Sequence, residues 1–264
     1  MDLHLTSKTA FVSGSTQGIG FAIAKQLLQE GAAVIINGRT HERVAAAVKQ
    51  LQQEVPGAVV SGVAADFAQV TEVDALLASL PHIDILVNNV GIFELREFSD
   101  LTDEDWTRCF EINVLSGVRL SRYLLPKMIG KNEGRIIFIS SEAGVNIPGN
   151  MMHYGISKTA MLALSRGLAT LTKNTGVTVN TILGGPAYSE GVATAVEQIA
   201  AAQGQEVDTI KSHLFKTLNP SSLLQRFIDP AEIAHLAVYL ASRLSVATNG
   251  AAIRADGGVL NTIL

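Results

Sequence analysis

The sequence predicts an α/β protein built on a doubly wound parallel sheet, with helices on both faces. Short β-branched runs alternate with amphipathic stretches of helical period along most of the chain. A glycine-rich turn leads from the first strand directly into the first helix. Since crossovers in such sheets are right-handed, ligands are expected at the carboxyl ends of the strands.

Seven strands follow from the alternation, with helices between them. The predicted strands are 9–12, 34–36, 59–64, 83–87, 135–139, 178–183 and 251–255. The first predicted helix ends near residue 30, and the second covers 41–54. Two further helices begin at capping boxes, one at 71–74 and one at 102–105. The last two begin after residue 151 and after Asp229. Gly31 is placed to end the first helix in a left-handed conformation, and Pro230 suits a first helical position.

The second capping box predicts one long helix that continues through Trp106, Asn113 and Tyr123. Residues 187–228 then break the βα rhythm, because they are polar, helix-prone and interrupted by Gly204 and Pro220. The chain contains no linker, repeat or low-complexity segment. We therefore expect residues 1–264 to form a single domain with a lid over about 187–228.

Composition narrows the class of protein. Hydrophobic residues make up 47% of the chain, enough for one large core, and the net charge of −4 indicates neither a nucleic-acid nor a membrane surface. The six histidines are scattered without ligand spacing, so no metal site is predicted. Cys109 cannot form an internal disulfide, and neither a secretion signal nor a bilayer-spanning run is evident. These features predict a soluble, cytoplasmic protein.

The turn after the first strand predicts a dinucleotide site. Its glycines let the backbone approach a pyrophosphate, which the helix N-terminus attracts. A glycine trio alone is weak evidence, but its position inside a βαβ unit favours the binding role. The residues of this loop expected to contact the dinucleotide are Gly14, Ser15, Thr16, Gln17, Gly18, Ile19 and Gly20.

The end of the second strand favours NADP(H). Enzymes that use NAD place an acid there for the ribose hydroxyls. Here Gly38 leaves room for a phosphate, and Arg39 offers a planar, bidentate donor for it. The alternative is a solvated arginine at a strand end.

Tyr154 and Lys158 are four residues apart in a predicted helix and so share one face. A tyrosine of pKa ~10 is a poor base near neutrality. A nearby ammonium and the charge of an oxidised nicotinamide are expected to lower that pKa. Asn113 lies in an apolar helical stretch, where a satisfied core amide is the alternative to a functional role.

Taken together and in order, the motifs resemble those of the short-chain dehydrogenase/reductase family, including 3-oxoacyl-ACP reductase-like and gluconate 5-dehydrogenase-like members. The glycine spacing is Gly-x-x-x-Gly-x-Gly, and the resemblance extends over the whole chain. The matching residues are Asp66, Asn88-Asn89-Val90-Gly91, Asn113, Ser141, the Tyr154-x-x-x-Lys158 motif and Asp256-Gly257-Gly258.

The resemblance implies a Rossmann fold and a set of roles. Tyr154 would move a proton, Ser141 would orient the substrate oxygen, and Asn113 would hold a water that relays protons to Lys158. The further implied cofactor contacts are Asp66, Phe67, Asn88, Val90, Gly91, Tyr154, Lys158, Gly185, Ala187 and Ser189. Assembly into a homotetramer, or a dimer, is also implied.

Three residues depart from the family pattern. Gly184 replaces a proline before Gly185, which removes a φ constraint, Val90 replaces an alanine, and Ser189 replaces a threonine. The predicted function is an NADP(H)-dependent oxidoreductase acting on a small carbonyl or alcohol substrate. A non-catalytic redox sensor or scaffold is the alternative, although such a protein needs only the phosphate loop. The sequence leaves the substrate open.

Overall fold

A computed structural model describes residues 2–263, leaving out the side chains at positions 191 and 195. Its strands are β1 Thr9–Val12, β2 Ala33–Gly38, β3 Val60–Ala64, β4 Ile85–Asn88, β5 Gly134–Ser141, β6 Val177–Gly184 and β7 Ala252–Ala255. Its α-helices are α1 Gly18–Gln29, α2 His41–Glu54, α3 Val70–Ser79, α4 Asp103–Phe110, α5 Ser116–Lys131, α6 Met152–Thr170, α7 Glu190–Gln203, α8 Val207–Leu218 and α9 Pro230–Ala241.

The strands form one parallel sheet in the order β3-β2-β1-β4-β5-β6-β7, which confirms the predicted fold class. One apolar layer joins α1, α2 and α9 to one face of the sheet. A second layer joins α3, α5 and α6 to the other face. The strand order reverses between β1 and β4, so the carboxyl ends of these strands border a natural ligand crevice. None of the helices described is long and apolar enough to cross a membrane.

Helix termini confirm one predicted capping box and the predicted helix start at Asp229, and they correct the other predicted box. The Thr102 hydroxyl accepts from the amide of Asp105, and Asp229 caps α9 with Pro230 in the first turn. The predicted box at 71–74 is wrong. The carbonyl of Gln69 already accepts from the amide of Val73 at 3.1 Å, so Thr71 lies inside the first turn of α3.

The long helix predicted from 102–105 contains an interruption. Five residues, Glu111–Leu115, form a π-helical segment between α4 and α5, and Asn113 lies in it. Such segments insert one residue into the helical repeat and often occur at functional sites. The helix is therefore re-phased at the residue that the family resemblance singles out.

The segment 187–228 consists of two helices, α7 and α8, between closely pinned ends. Ala187 and Ile228 form an isolated parallel bridge, with Tyr188 N donating to the Ile228 carbonyl at 2.9 Å. Gly204 ends α7 with φ of +62°, as its position predicts. The loss of constraint expected at Gly184 is offset, because this glycine is paired with Ala255 in the sheet.

Candidate active site

The glycine loop is held by a buried amide at the end of β2. Asn37 accepts a hydrogen bond from Gly14 N at 3.1 Å through Oδ1, and its Nδ2 donates to Val63 O and Ala65 O. Gly14 and Gly18 have φ near +60°, where glycine is favoured. A Cβ at Gly20 would lie only 2.4 Å from Asn89 Nδ2. The loop is therefore preformed.

The crevice contains a cavity of about 310 Å³. Ten of the predicted cofactor residues line it: Gly14, Thr16, Gln17, Gly18, Arg39, Asp66, Phe67, Val90, Gly91 and Ser189. Gly38, which is predicted to leave room for a phosphate, also lines it. The sequence interpretation missed a further set: Asn37, Arg43, Ala65, Ala68, Asn89, Ile92, Arg108, Ile112 and Glu190. A glycine cradle at a helix N-terminus, continued by a slot beside Asp66, fits a dinucleotide.

Other predicted contacts lie behind the cavity wall. Ser15 is fully buried and bonds to Val12 and Asn37. Asn88 is 3% exposed, with Nδ2 3.4 Å from Ser121 Oγ, and its neighbour Asn89 is the residue that faces the cavity. Six more predicted contacts do not line the cavity: Ile19, Gly20, Tyr154, Lys158, Gly185 and Ala187.

Two arginines line the cavity beside the end of β2. Arg39 follows β2 and Arg43 lies in the first turn of α2, and both side chains are exposed. Within residues 2–263 neither guanidinium is paired with a carboxylate. Gly38 cannot carry an acid, since even a Cβ there would lie 2.5 Å from Thr16 Cγ2. Arg43 follows Arg39 by four residues, at the start of α2. This spacing could have identified Arg43 as a second cavity residue from the sequence.

The predicted catalytic residues converge beside this cavity. Ser141 is the last residue of β5, and Tyr154 and Lys158 lie one turn apart on α6. Lys158 Nζ donates to the carbonyl of Ile139 at 2.9 Å and lies 5.6 Å from the centroid of the Tyr154 ring. A Cβ at Gly91 would come within 3.5 Å of the same Nζ, so the lysine reaches the cavity wall.

Ser140 and Ser141 point in different directions, as predicted for neighbours in a strand. The Ser140 hydroxyl donates to the carbonyl of Lys158 at 2.9 Å and ties β5 to α6. The Ser141 hydroxyl donates to Glu142 Oε2 at 2.6 Å and accepts from Ala143 N. The glutamate is a polar neighbour that the sequence analysis did not identify.

Asn113 is a satisfied core amide. It is 1% exposed, its Oδ1 accepts from Ile92 N at 2.8 Å, and its Nδ2 donates to Ile92 O and Ser157 Oγ. These bonds clamp the loop after Gly91 to α6. The side chain therefore positions the cavity wall against the catalytic helix, and its water relay stays a prediction.

Burial dominates the electrostatics of the catalytic pair. Burial raises the pKa of Tyr154 above its ordinary value, and the nearby Glu142 adds to this rise. Burial also lowers the pKa of Lys158 to about 8. The expectation that the lysine depresses the tyrosine pKa is therefore not met in the protein alone, because desolvation of the phenolate outweighs it. Tyr154 consequently holds its proton at neutral pH.

Comparisons with known proteins agree with this geometry. Residues 8–200 match the family model described as short chain dehydrogenase. The chain is 47% identical over the full length of both proteins to the uncharacterized oxidoreductase YvrD of Bacillus subtilis (strain 168). It is 34% identical to the D-beta-hydroxybutyrate dehydrogenase of Cupriavidus necator, over 96% of this chain and 98% of that protein.

Among solved structures, L-sorbose reductase from Gluconobacter frateurii complexed with NADPH and L-sorbose superimposes with a TM-score of 0.92. That likeness covers all of both chains at 30% identity. These matches extend over all or nearly all of the chain, and the sheet order and the preformed glycine loop agree with them. The chain therefore belongs to the short-chain dehydrogenase family and is an oxidoreductase of that family.

Proposed function

We propose that this protein is an NADP(H)-dependent oxidoreductase that interconverts a small carbonyl compound and the corresponding alcohol. The observation that carries the proposal is the junction at Gly91. There the dinucleotide cavity meets Lys158, one turn along α6 from Tyr154. A non-catalytic sensor would have no use for a buried lysine and tyrosine at this junction.

Bound nicotinamide would supply or accept the hydride. Tyr154, protonated at neutral pH because burial raises its pKa, would donate its proton to the carbonyl oxygen. Lys158, held by the Ile139 carbonyl, would restrain the nicotinamide ribose and stabilise the phenolate that remains. Ser141 would orient the carbonyl oxygen between its hydroxyl and that of Tyr154.

NADP(H) is proposed over NAD(H) because of the end of β2. No acid stands where β2 ends at Gly38, and Arg39 and Arg43 line the cavity without an ion-pair partner among the described residues. Two unpaired guanidinium groups are suited to a 2′-phosphate. The structural neighbour from Gluconobacter frateurii was solved with NADPH.

Titration of NADPH and NADH against the wild type and two variants tests this proposal. Arg39→Ala and Arg43→Ala should each weaken NADPH binding by about 1–3 kcal/mol, the range for hydrogen bonds to charged groups, and leave NADH nearly unchanged. Arg122→Ala, at an exposed arginine outside the cavity, is the control. A wild-type preference for NADH, or equal losses for both cofactors, would contradict the assignment.

Activity is tested with a panel of ketones, ketoses, 3-oxoacyl thioesters and steroids in the presence of NADPH. A ketose belongs in the panel because a structural neighbour is an L-sorbose reductase. Failure to reduce any carbonyl compound with either cofactor would refute the enzymatic role. Assembly into a homotetramer or dimer stays a prediction from the family resemblance, as does a cytoplasmic location.

A further inference from the structure

Glu142 places a carboxylate directly against the predicted catalytic serine. Its Oε2 accepts the Ser141 hydroxyl at 2.6 Å, a short bond as expected for a charged acceptor. The backbone amides of Glu142 and Ala143 add further donors. The side chain is only partly exposed, and it acts on the ionisation of Tyr154. The proposed mechanism uses Ser141 and Tyr154 but gives this carboxylate no role.

Glu142 has one acidic and one basic neighbour. Burial raises the pKa of Glu142, and Asp256, 6% exposed, adds to this rise and is itself held by the amides of Gly258 and Leu260. Glu142 in turn favours the charged form of Lys158, whose ammonium donates to the carbonyl of Ile139. Within residues 2–263 no lysine, arginine or histidine forms an ion pair with Glu142, so its carboxylate depends on the Ser141 hydroxyl as a side-chain donor.

Binding of a carbonyl substrate at Ser141 would leave Glu142 without one of its hydrogen-bond donors. Ser141 has one proton, which it gives to Glu142. To orient a carbonyl oxygen, Ser141 must turn that proton toward the substrate, and Glu142 then loses a donor. A partly buried carboxylate that loses a donor is costly unless the substrate replaces it.

Distances around Ser141 show where the substrate would have to carry a donor for Glu142. The carbonyl oxygen would lie about 2.7 Å from the Ser141 hydroxyl, which is 2.6 Å from Glu142 Oε2. A hydroxyl on the carbon next to the carbonyl lies about one hydrogen-bond length from the carbonyl oxygen. It can therefore donate to Glu142 while Ser141 donates to the carbonyl.

We propose that Glu142 is a specificity-determining residue that selects α-hydroxycarbonyl substrates, which are reduced to vicinal diols. The carbonyl carbon gains a hydride from the reduced nicotinamide, the carbonyl oxygen gains the proton of Tyr154, and the nicotinamide is oxidised. This inference rests on the proposed function and deepens it by naming the substrate class.

Three compounds on one four-carbon skeleton test the proposal: acetoin, which has the α-hydroxyl, butanone, which lacks it, and 2,3-butanedione, which offers only an acceptor. Glu142→Ala should lower kcat/KM for acetoin by about 10- to 100-fold, the loss expected for a hydrogen bond to a charged group, and leave butanone nearly unchanged. Comparing variant with wild type cancels the intrinsic reactivities. Glu142→Gln, which keeps an acceptor oxygen, should lose less than Glu142→Ala.

A second measurement does not depend on turnover. In the Tyr154→Phe background with NADPH bound, acetoin should raise the melting temperature more than butanone does, and Glu142→Ala should abolish the difference. Glu54→Gln removes a carboxylate that is paired with Lys25, outside the cofactor cavity, and should change neither readout.

The outcomes separate the two proposals. Equal losses for acetoin and butanone in Glu142→Ala, or a loss confined to 2,3-butanedione, would overturn the role of Glu142 and leave the proposed function standing. Reduction of other carbonyl compounds but none of these three would do the same. If the wild type reduces no carbonyl at all, the proposed function fails, and the melting temperatures alone decide whether Glu142 selects the α-hydroxyl.

Discussion

The paired strands β5 and β6 and the segment 187–228 border the same crevice but are built very differently. Every residue of β5 and β6 is buried, and the two strands are paired in register from Gly134 and Val177 to Ser141 and Gly184. The segment 187–228 instead has a small core of its own, formed by Val196, Ala200 and Ile210. Its two ends meet at the single bridge between Ala187 and Ile228.

From this difference we infer that the strand pair is the rigid part of the site and that the segment 187–228 is the part that moves. The strand pair fixes Ser141 and supports α6, so that Tyr154 and Lys158 are desolvated and their pKa values are shifted in opposite directions. Such shifts require dense, permanent packing. A segment that must admit substrate needs low local stability. We therefore expect substitutions at residues that the strand pair supports to change turnover. Substitutions within 187–228 should instead change how readily the substrate enters.

The largest expected effect is on turnover. Tyr154→Phe should lower turnover by about 10²- to 10⁴-fold, the usual contribution of a general acid, because the variant has no proton to donate. Steady-state reduction of a substrate found in the panel measures this loss, and NADPH titration should show binding retained. Tyr188→Phe, at the root of 187–228, is the matched control and should keep most of its turnover. A Tyr154→Phe variant with wild-type turnover would remove the proposed proton donor.

Stability gives the next largest effect. Lys158 has its pKa lowered from 10.5 to about 8, so burial of its ammonium costs stability below pH 8. Between about pH 8 and 10.5 the unfolded chain keeps a proton that the folded chain has lost, so stability from this group rises with pH. Lys158→Met should therefore be more stable than the wild type at pH 7, by up to about 3 kcal/mol.

Urea unfolding without cofactor, repeated from pH 7 to 10.5, measures this difference, which should shrink above pH 8. Lys173→Met, at an exposed lysine after α6, should show no such trend. A Lys158→Met variant that is less stable than the wild type at pH 7 would mean that Lys158 stabilises the fold. Burial of its ammonium would then not be a cost that the strand pair imposes.

Much of the fold could be predicted because its signals are local. Strands are short apolar runs, and their observed bounds differ from the predicted ones by at most two residues. Thr102 and Asp229 are caps because each is itself extended and its side chain accepts from an amide of the first helical turn. Thr71 has the same pattern, yet the hydrogen bond from Val73 N to Gln69 O starts the helix two residues earlier. A capping pattern therefore locates a helix better than it fixes the first residue.

The site was less predictable because its decisive features are long-range. The π-helical segment at Asn113 depends on Ile92 and Ser157, which are distant in sequence. The direction of the Tyr154 pKa shift depends on burial, which the Tyr-x-x-x-Lys spacing does not encode. Glu142 follows Ser141 directly, but only the turn after β5 brings its carboxylate back to the serine hydroxyl.

The smallest expected effect concerns the lid proposed for 187–228. Hydrogen exchange should show its α7 and α8 amides opening well before those of β5 and β6, since the buried contacts within the segment are few. NADPH should slow exchange in α7 and α8 by about tenfold, a coupling of about 1.4 kcal/mol, because Ser189 and Glu190 line the cofactor cavity only while α7 is docked. The amides of Tyr188 and Ile228 should stay protected throughout, since they form the hinge bridge. The amides of β5 and β6 are the internal control and should not respond to NADPH. If α7 and α8 are already as protected as these strands without cofactor, the segment is a fixed wall, and substrate must reach Tyr154 by another path.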